Sequence, residues 1–321
     1  MGIFIDKGNL AFRSIKNSDF IDKSGLIEIL NDNIDTQHRY ICVSRPRRFG
    51  KSIAAKMIYA YYDRKSDSAA LFDDLEISKS ESYKKHLNKY PTFYIDFNTF
   101  AEFDNGDVVA LFQKQVIEDL KTSYPFLKES EYLSIALREI NQETGDRFVV
   151  VIDEWDKLVR DIDEKIKNKY VNFLRSMFKS NTADDVYLLV YMTGILPIIK
   201  VESQSALNNF MEFSIIDPGQ SAQYYGFTDN QVKSLCEKHN MKFELMKHSY
   251  DGYIIGDEKS MFNPNSVMLA IEKNNYNSHW SKSAAYTTIE HYIGIISNNF
   301  FEKLLIFIQY FRGENYHTQC P

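Results

Sequence analysis

The chain has 321 residues, 44% hydrophobic and 26% charged, with a net charge of -6. That is the make-up of a globular protein of one large or two ordinary domains, and it excludes a surface that is basic throughout and built as a nucleic-acid platform. Three cysteines, Cys42, Cys236 and Cys320, lie far apart, which excludes a disulfide framework or thiolate metal site and suits a reducing compartment.

Met1 to Lys7 lacks the apolar centre of a signal peptide, and no apolar run approaches the roughly 20 residues of a membrane span. The expectation is a soluble cytoplasmic chain with no membrane contact. Ser24 stands where it can cap a helix through Leu26, Ile27 and Leu30 towards Asn33. Tyr40 to Val43 reads as a strand. It breaks at Ser44 into a loop, Arg45-Pro46-Arg47-Arg48-Phe49-Gly50, and Lys51-Ser52 then open a helix. Ile53, Met57 and Tyr61, four apart, are expected to pack inward from that helix.

Residues 63–90 are charged and serine-rich and read as loop with a short helix. Pro91 to Phe97 is a second strand with Asp96 near its end, and helices are expected over 107–121 and 131–142. Phe148 to Ile152 is a wholly apolar run, the pattern of a strand buried on both faces, and it ends in Asp153-Glu154. A helix over 163–180 and a strand from Val186 to Met192, ending in Thr193-Gly194, follow. Strands and helices alternating in this way predict a largely parallel sheet. Beyond residue 200 the pattern changes. A short strand is expected over 213–216, a turn at Asp217-Pro218-Gly219, and a capping box at Thr228 to Gln231. A hairpin is expected over 252–262 and a helix opening on Pro264. The implied organisation is a core over 1–216, a smaller, mainly helical, lid-like unit over 217–290, and a tail over 291–321.

Strand, loop, Lys-Ser and helix is the order of a phosphate-binding P-loop, except that Arg45 stands where Gly-x-x-x-x-Gly-Lys-Ser/Thr has its first glycine. Unpaired N–H groups at the helix start favour an anion, Lys51 adds a cation for the β- and γ-phosphates, and the Ser52 hydroxyl is suited to Mg²⁺. The nucleotide-binding segment is therefore read as Arg45, Pro46, Arg47, Arg48, Phe49, Gly50, Lys51, Ser52 and Ile53, with solvent or acidic pairing as the alternative for Arg47 and Arg48. Asp153, at a strand's C-terminal end, suits Mg²⁺ directly or through water, as a Walker B aspartate does. Glu154 is the candidate water-activating base and Thr193 the candidate γ-phosphate sensor. An extra strand between the loop and Walker B segments, with Glu directly after Asp, is the arrangement of the additional-strand, catalytic-glutamate branch of P-loop NTPases. Asp156 is expected at the surface or behind the ligands. Arg175 is where an arginine finger for a neighbouring subunit would sit. No His-Glu-x-x-His, Gly-x-Ser-x-Gly or Gly-x-Gly-x-x-Gly pattern accompanies these residues.

The residues at 45–52 are also the loop string of the bacterial and archaeal AAA-ATPase-like family, which this chain resembles. Further matching strings are Phe20 to Ile27, Val151 to Asp156, Thr193 to Ile195, Ser205 to Asn209, Tyr225 to Thr228, Tyr250 to Tyr253 and Asn263 to Val267. The resemblance makes Arg45 the family's usual residue. It implies an ATPase core with Lys51, Ser52, Asp153 and Glu154 in the roles above. Many members carry a C-terminal PD-(D/E)XK nuclease-like domain; residues 306–321 show no strand bearing Glu-x-Lys, so that domain is expected to be absent or truncated and no nuclease activity is inferred.

The leading expectation is an ATP-binding, Mg²⁺-dependent ATPase working as a switch or motor, with an oligomer as one arrangement. The alternative is a nucleotide-gated module with negligible hydrolysis that engages nucleic acid or a protein partner. A small-molecule kinase is a third reading with no acceptor site to support it.

Overall fold

The computed structural model describes residues 2–100, 107–160, 164–198, 207–256 and 258–276. Five strands form one sheet: β1 (Tyr40–Ser44), β2 (Thr92–Asp96), β3 (Phe148–Asp153), β4 (Tyr187–Gly194) and β5 (Met211–Phe213). Their order across the sheet is β2-β3-β4-β1-β5, and every pairing is parallel.

Parallel strands need both faces covered, and the side-chain alternation shows how. Phe148, Val150 and Ile152 of β3, with Tyr40, Cys42, Phe93, Val190 and Met192, join one buried cluster. Val149 and Val151, with Ile41, Val43, Tyr94, Leu189 and Tyr191, join the other. The first cluster is closed by helices α6 (Val108–Ser123), α7 (Leu133–Thr144) and α9 (Glu164–Phe178); the second by α1 (Leu10–Lys16), α2 (Gly25–Asn33) and α3 (Lys51–Tyr62). Four-residue helices α4 (Ala69–Phe72), α5 (Tyr83–His86), α8 (Lys157–Arg160) and α10 (Ala183–Val186) fill the connections. The strand inserted between β1 and β3 is β4, whereas the 92–96 strand that intervenes in sequence lies at the sheet's edge. This is the additional-strand P-loop NTPase arrangement, mainly parallel and flanked by helices.

Two expectations are corrected here. The fifth strand is Met211–Phe213 and not 213–216, because the Ser214 N–H donates to the Asp217 carbonyl at 2.9 Å and turns the chain. The chain divides after Tyr225 and not after 216. The 3₁₀ helix Gly219–Tyr224 stays with the sheet unit because the buried Ser221 hydroxyl accepts from the Arg45 guanidinium at 2.9 Å.

The second unit runs from Gly226 and also takes in Arg47–Phe49. It holds an antiparallel sheet of β6 (Phe227–Thr228), β7 (Asp251–Ile255) and β8 (Glu258–Phe262), with helices α11 (Asp229–Lys238), α12 (Phe243–Tyr250) and α13 (Pro264–Lys273). The described residues of this unit are mainly helical and also carry the small antiparallel sheet. The predicted Thr228–Gln231 capping box, the hairpin and the Pro264 helix start are all present. The expected tail over 291–321, and Ser205 and Ala206, lie outside the described residues. No helix among the described residues is long and apolar enough to cross a membrane.

Candidate functional site

Register alone gathers the polar residues that the sequence singles out. Asp96 is opposite Asp153, Asp153 opposite Thr193, and Ser44 opposite Gly194, so all lie at the C-terminal edge of the sheet. Ligands bind at this edge in open α/β folds. Gly50 caps α3 in the left-handed conformation, with φ of 87°, and a Cβ there would meet nothing within 4 Å. Only glycine adopts such a φ without strain. The first helical bond of α3 runs from the Ala54 N–H to the Gly50 carbonyl. The N–H groups of Lys51, Ser52 and Ile53 come before it, the usual unpaired donors of a helix start.

Lys51 is buried, and its Nζ donates to the Pro46 carbonyl at 3.0 Å. Burial pushes its pKa down, while Glu154, Asp156 and Asp153 hold it up. The ammonium therefore sits in a field of three carboxylates. Asp153 is buried too; its Oδ2 accepts from the Tyr94 hydroxyl at 3.2 Å, and its Oδ1 has no hydrogen-bond partner. Burial pushes its carboxyl up to about 6, against the pull of the nearby Ser52 hydroxyl. Ile53 is exposed on the first turn of α3 and not packed inward, unlike Met57 and Tyr61.

Glu154 takes a left-handed backbone, with φ of 54°, which is sparsely populated for a residue with a Cβ. Its Oε2 accepts from Arg160 Nη2 at 2.6 Å. Asp156 is fully buried, which leaves the position behind the ligands and excludes the surface one. Its Oδ2 accepts from the Ile195 and Leu196 N–H groups at 3.1 and 2.8 Å and lies 2.9 Å from Arg160 Nε. Sequence reasoning missed Arg160, although an acid and a base four apart just past β3 are a legible helical pair.

Two predicted residues are turned away. Arg45 is buried, its guanidinium bonded to the Ser44 and Phe213 carbonyls and to Ser221, and set over the Tyr225 ring. Its N–H donates to the Gly194 carbonyl. Its amide and both Nη groups are thus engaged within the sheet unit, while its Nε is buried without a hydrogen-bond partner. Thr193 is buried, and its hydroxyl donates to the Val43 carbonyl at 3.2 Å, so its one proton is engaged within the sheet. Arg47 and Arg48 are exposed, Arg175 lies on the exposed face of α9, and Phe49 is buried. A groove of about 850 Å³ beside α6 and α9, lined by Asp107, Lys114, Glu131, Lys169 and Phe173 among others, shares no residue with this site.

Residues 8–203, more than half of the chain, match the AAA-ATPase-like family, described as predicted AAA-ATPases. The chain belongs to that family. An uncharacterized protein of the vnfD 5' region of Azotobacter chroococcum mcd 1 is 23% identical over 295 residues. The alignment covers 87% of this AAA-ATPase-like chain and 54% of that relative, so the chain spans about half of the relative's length. The Aeropyrum pernix ORC2 protein, in ADPNP–ADP complexes, is similar with a TM-score of 0.45 at 10% identity, over 92% of this chain and 74% of that one. PCH-2 of C. elegans gives 0.30 at 14% identity, over 83% and 56%. The fold assignment rests on the strand order of the AAA-ATPase-like chain itself and not on these two likenesses.

Proposed function

We propose that this AAA-ATPase-like chain binds ATP with Mg²⁺ and hydrolyses it, and that the cycle works a conformational switch. The observation that carries this reading is the grouping of Lys51, Asp153 and Glu154 at the sheet edge beside a helix start capped by left-handed Gly50. Lys51 would exchange the Pro46 carbonyl for phosphate oxygens, and the N–H groups of Lys51 to Ile53 would hold the same anion. The partnerless Oδ1 of Asp153 and the Ser52 hydroxyl fit a hard cation. Among the described residues no three His, Cys, Asp or Glu cluster as a protein-only metal site. That suits a cation which takes its remaining ligands from phosphate and water. When bound, Mg²⁺ neutralises charge on the phosphate oxygens. Glu154 would take a proton from the attacking water, which requires its Oε2 to leave Arg160.

The test is a comparison of two variants with wild type. Lys51→Ala is expected to lose ATP binding. Glu154→Gln is expected to bind ATP normally and release phosphate at least ~100-fold more slowly. Equal ATP affinity in wild type and Lys51→Ala would end the phosphate-loop reading. The pairing of Glu154 with Arg160 favours a second reading, a chain that hydrolyses slowly until a nucleic acid or protein partner engages it. Phosphate release measured with and without DNA or RNA separates the two, because only the second reading expects stimulation.

A further inference from the structure

Tyr94 lies on the edge strand β2, and no local pattern in the sequence marks it for function. It is buried, and its hydroxyl donates to Asp153 Oδ2 at 3.2 Å across the β2–β3 pair. The phenol is fixed from several sides. Its N–H donates to the Phe4 carbonyl at 2.8 Å, where the N-terminal segment lies along the outer edge of β2 with Ile5 bridged to Phe93. Phe4 and Ile5 are held in turn, their N–H groups donating to Asp119 Oδ2 at 2.7 and 3.1 Å. The ring lies edge-on to Tyr59, 5.8 Å between centroids, and the Lys7 ammonium stands 4.7 Å from its centroid. A phenol has one proton to donate, and here its direction is set.

The consequence falls on the two oxygens of Asp153. Oδ2 is engaged by Tyr94, whereas Oδ1 is buried and has no hydrogen-bond partner. A carboxylate free at both oxygens can grip one cation with both. With one oxygen already bonded to a phenol, it offers a single one. Hard cations differ in what they ask of a carboxylate. Ca²⁺ takes about six to eight oxygens in flexible geometry and often both oxygens of one carboxylate, whereas Mg²⁺ demands a near-octahedral set of single oxygens.

We propose that Tyr94 is a specificity-determining residue: by holding Oδ2 it limits Asp153 to one oxygen, an offer that suits Mg²⁺ and disfavours Ca²⁺. The inference rests on the ATPase reading and deepens it, because it names the residue that sets which cation the site accepts.

The experiment measures the affinity of the full chain for a fluorescent, non-hydrolysable ATP analogue while Mg²⁺ or Ca²⁺ is titrated. Wild type is compared with Tyr94→Phe and Tyr94→Met, which both lack the donor but differ in shape, so that a packing fault in one does not hide the result. In wild type, Mg²⁺ is expected to act at the lower concentration. In both variants the ratio of the Ca²⁺ midpoint to the Mg²⁺ midpoint is expected to fall about tenfold, with affinity in EDTA within about twofold of wild type. Tyr40→Phe is the control. It removes another tyrosine–aspartate bond, to Asp184 at 3.0 Å, at the start of β1 and so at the opposite end of the strands, and it is expected to keep the wild-type ratio. A merely structural Tyr94 would lower the melting temperature without moving the ratio. If wild type responds to Mg²⁺ and the ratio in the Tyr94 variants equals or exceeds its own, if Tyr40→Phe moves the ratio as far, or if neither Tyr94 variant folds, the specificity role is overturned and the ATPase reading stands. If neither cation changes the affinity of wild type, the Mg²⁺ part of that reading is overturned and the inference with it.

Discussion

The Asn263 side-chain amide donates to the Arg47 main-chain carbonyl at 3.3 Å, while its Oδ1 accepts from the Ser266 N–H as the N-cap of α13. One side chain thus fastens the tip of the 45–50 loop and starts a helix. Phe49 is held in the same unit, its ring edge-on to Tyr253 at 4.8 Å and its carbonyl accepting from the Gly226 N–H at 3.2 Å. Three sequence strings that look unrelated, around Gly226, Tyr253 and Asn263, therefore share one task, the shape of residues 47–49.

The two bonds of Asn263 can be separated. Asn263→Ala loses both and is expected to cost about 1–2 kcal/mol of stability and roughly tenfold in ATP affinity. Asn263→Asp keeps an excellent N-cap but has no donor for Arg47. It is expected to melt close to wild type while still losing the affinity. Denaturant titration and a fluorescent-ATP titration read the two effects. Normal affinity in Asn263→Asp would show that the loop tip does not depend on this bond.

Arg45 gives the opposite pattern. Its guanidinium joins the end of β1, the edge strand β5 and the 3₁₀ helix at Ser221. Removing a buried, hydrogen-bonded cation strands its partners. Arg45→Met is expected to lose on the order of 3 kcal/mol of stability, with ATP affinity of the folded protein within about threefold at low temperature. Arg45→Gly, which restores the motif's first glycine, is expected to be at least as unstable. A binding defect larger than the stability defect would return Arg45 to the phosphate site.

Much of this was legible in the sequence because it depends on local pattern. The apolar runs at 40–43 and 148–152 read as strands, Lys51 and Ser52 open the helix that follows the loop after the first, and Asp153 and Glu154 stand at the end of the second. What was not legible depends on long-range partners. Arg45 read as a loop cation because nothing local marks Phe213 or Ser221 as its acceptors. Thr193 read as a sensor because strand register, not spacing, turns its hydroxyl to Val43. Asp156 was left open between the surface and a position behind the ligands, because its acceptance of two N–H groups some 40 residues away is invisible in the chain. The break after Tyr225 was placed at 216 because Asp217-Pro218-Gly219 reads as a turn that ends the core, and nothing local marks the contact of Ser221 with Arg45.

Two glycines test space against backbone. At Gly194 a Cβ would lie 2.5 Å from Asp156 Oδ1 and 2.7 Å from the Trp155 ring, both fully buried groups with little room to yield. Gly194→Ala is expected to cost about 1–3 kcal/mol through overpacking. Gly50 has open space but a φ of 87°, so Gly50→Ala is expected to cost about 1 kcal/mol through strain alone. Chemical denaturation orders the two. A Gly194→Ala protein as stable as wild type would contradict the tight seating of Asp156.

Asp153 sets function against stability. Burial raises its carboxyl to about 6, with Asp96 and Glu154 adding to the rise and Ser52 and Tyr94 opposing it. The unfolded value is about 3.9, so the folded state holds the proton more tightly than the unfolded one. Such a group contributes stability that is fully present below about pH 4 and is lost as the pH rises through about 6. At pH 7.5 in EDTA the wild-type protein therefore carries a buried charge that Asp153→Asn lacks. The variant is expected to be the more stable there, by on the order of 2 kcal/mol, and the difference to vanish by about pH 4. Addition of Mg²⁺ and ATP is expected to reverse the ranking, because a ligand stabilises only the protein that binds it. Melting curves of both proteins across this pH range decide the matter. An Asp153→Asn protein less stable than wild type at pH 7.5 in EDTA would mean that Asp153 serves the fold, and that its partnerless Oδ1 is no sign of a cation site.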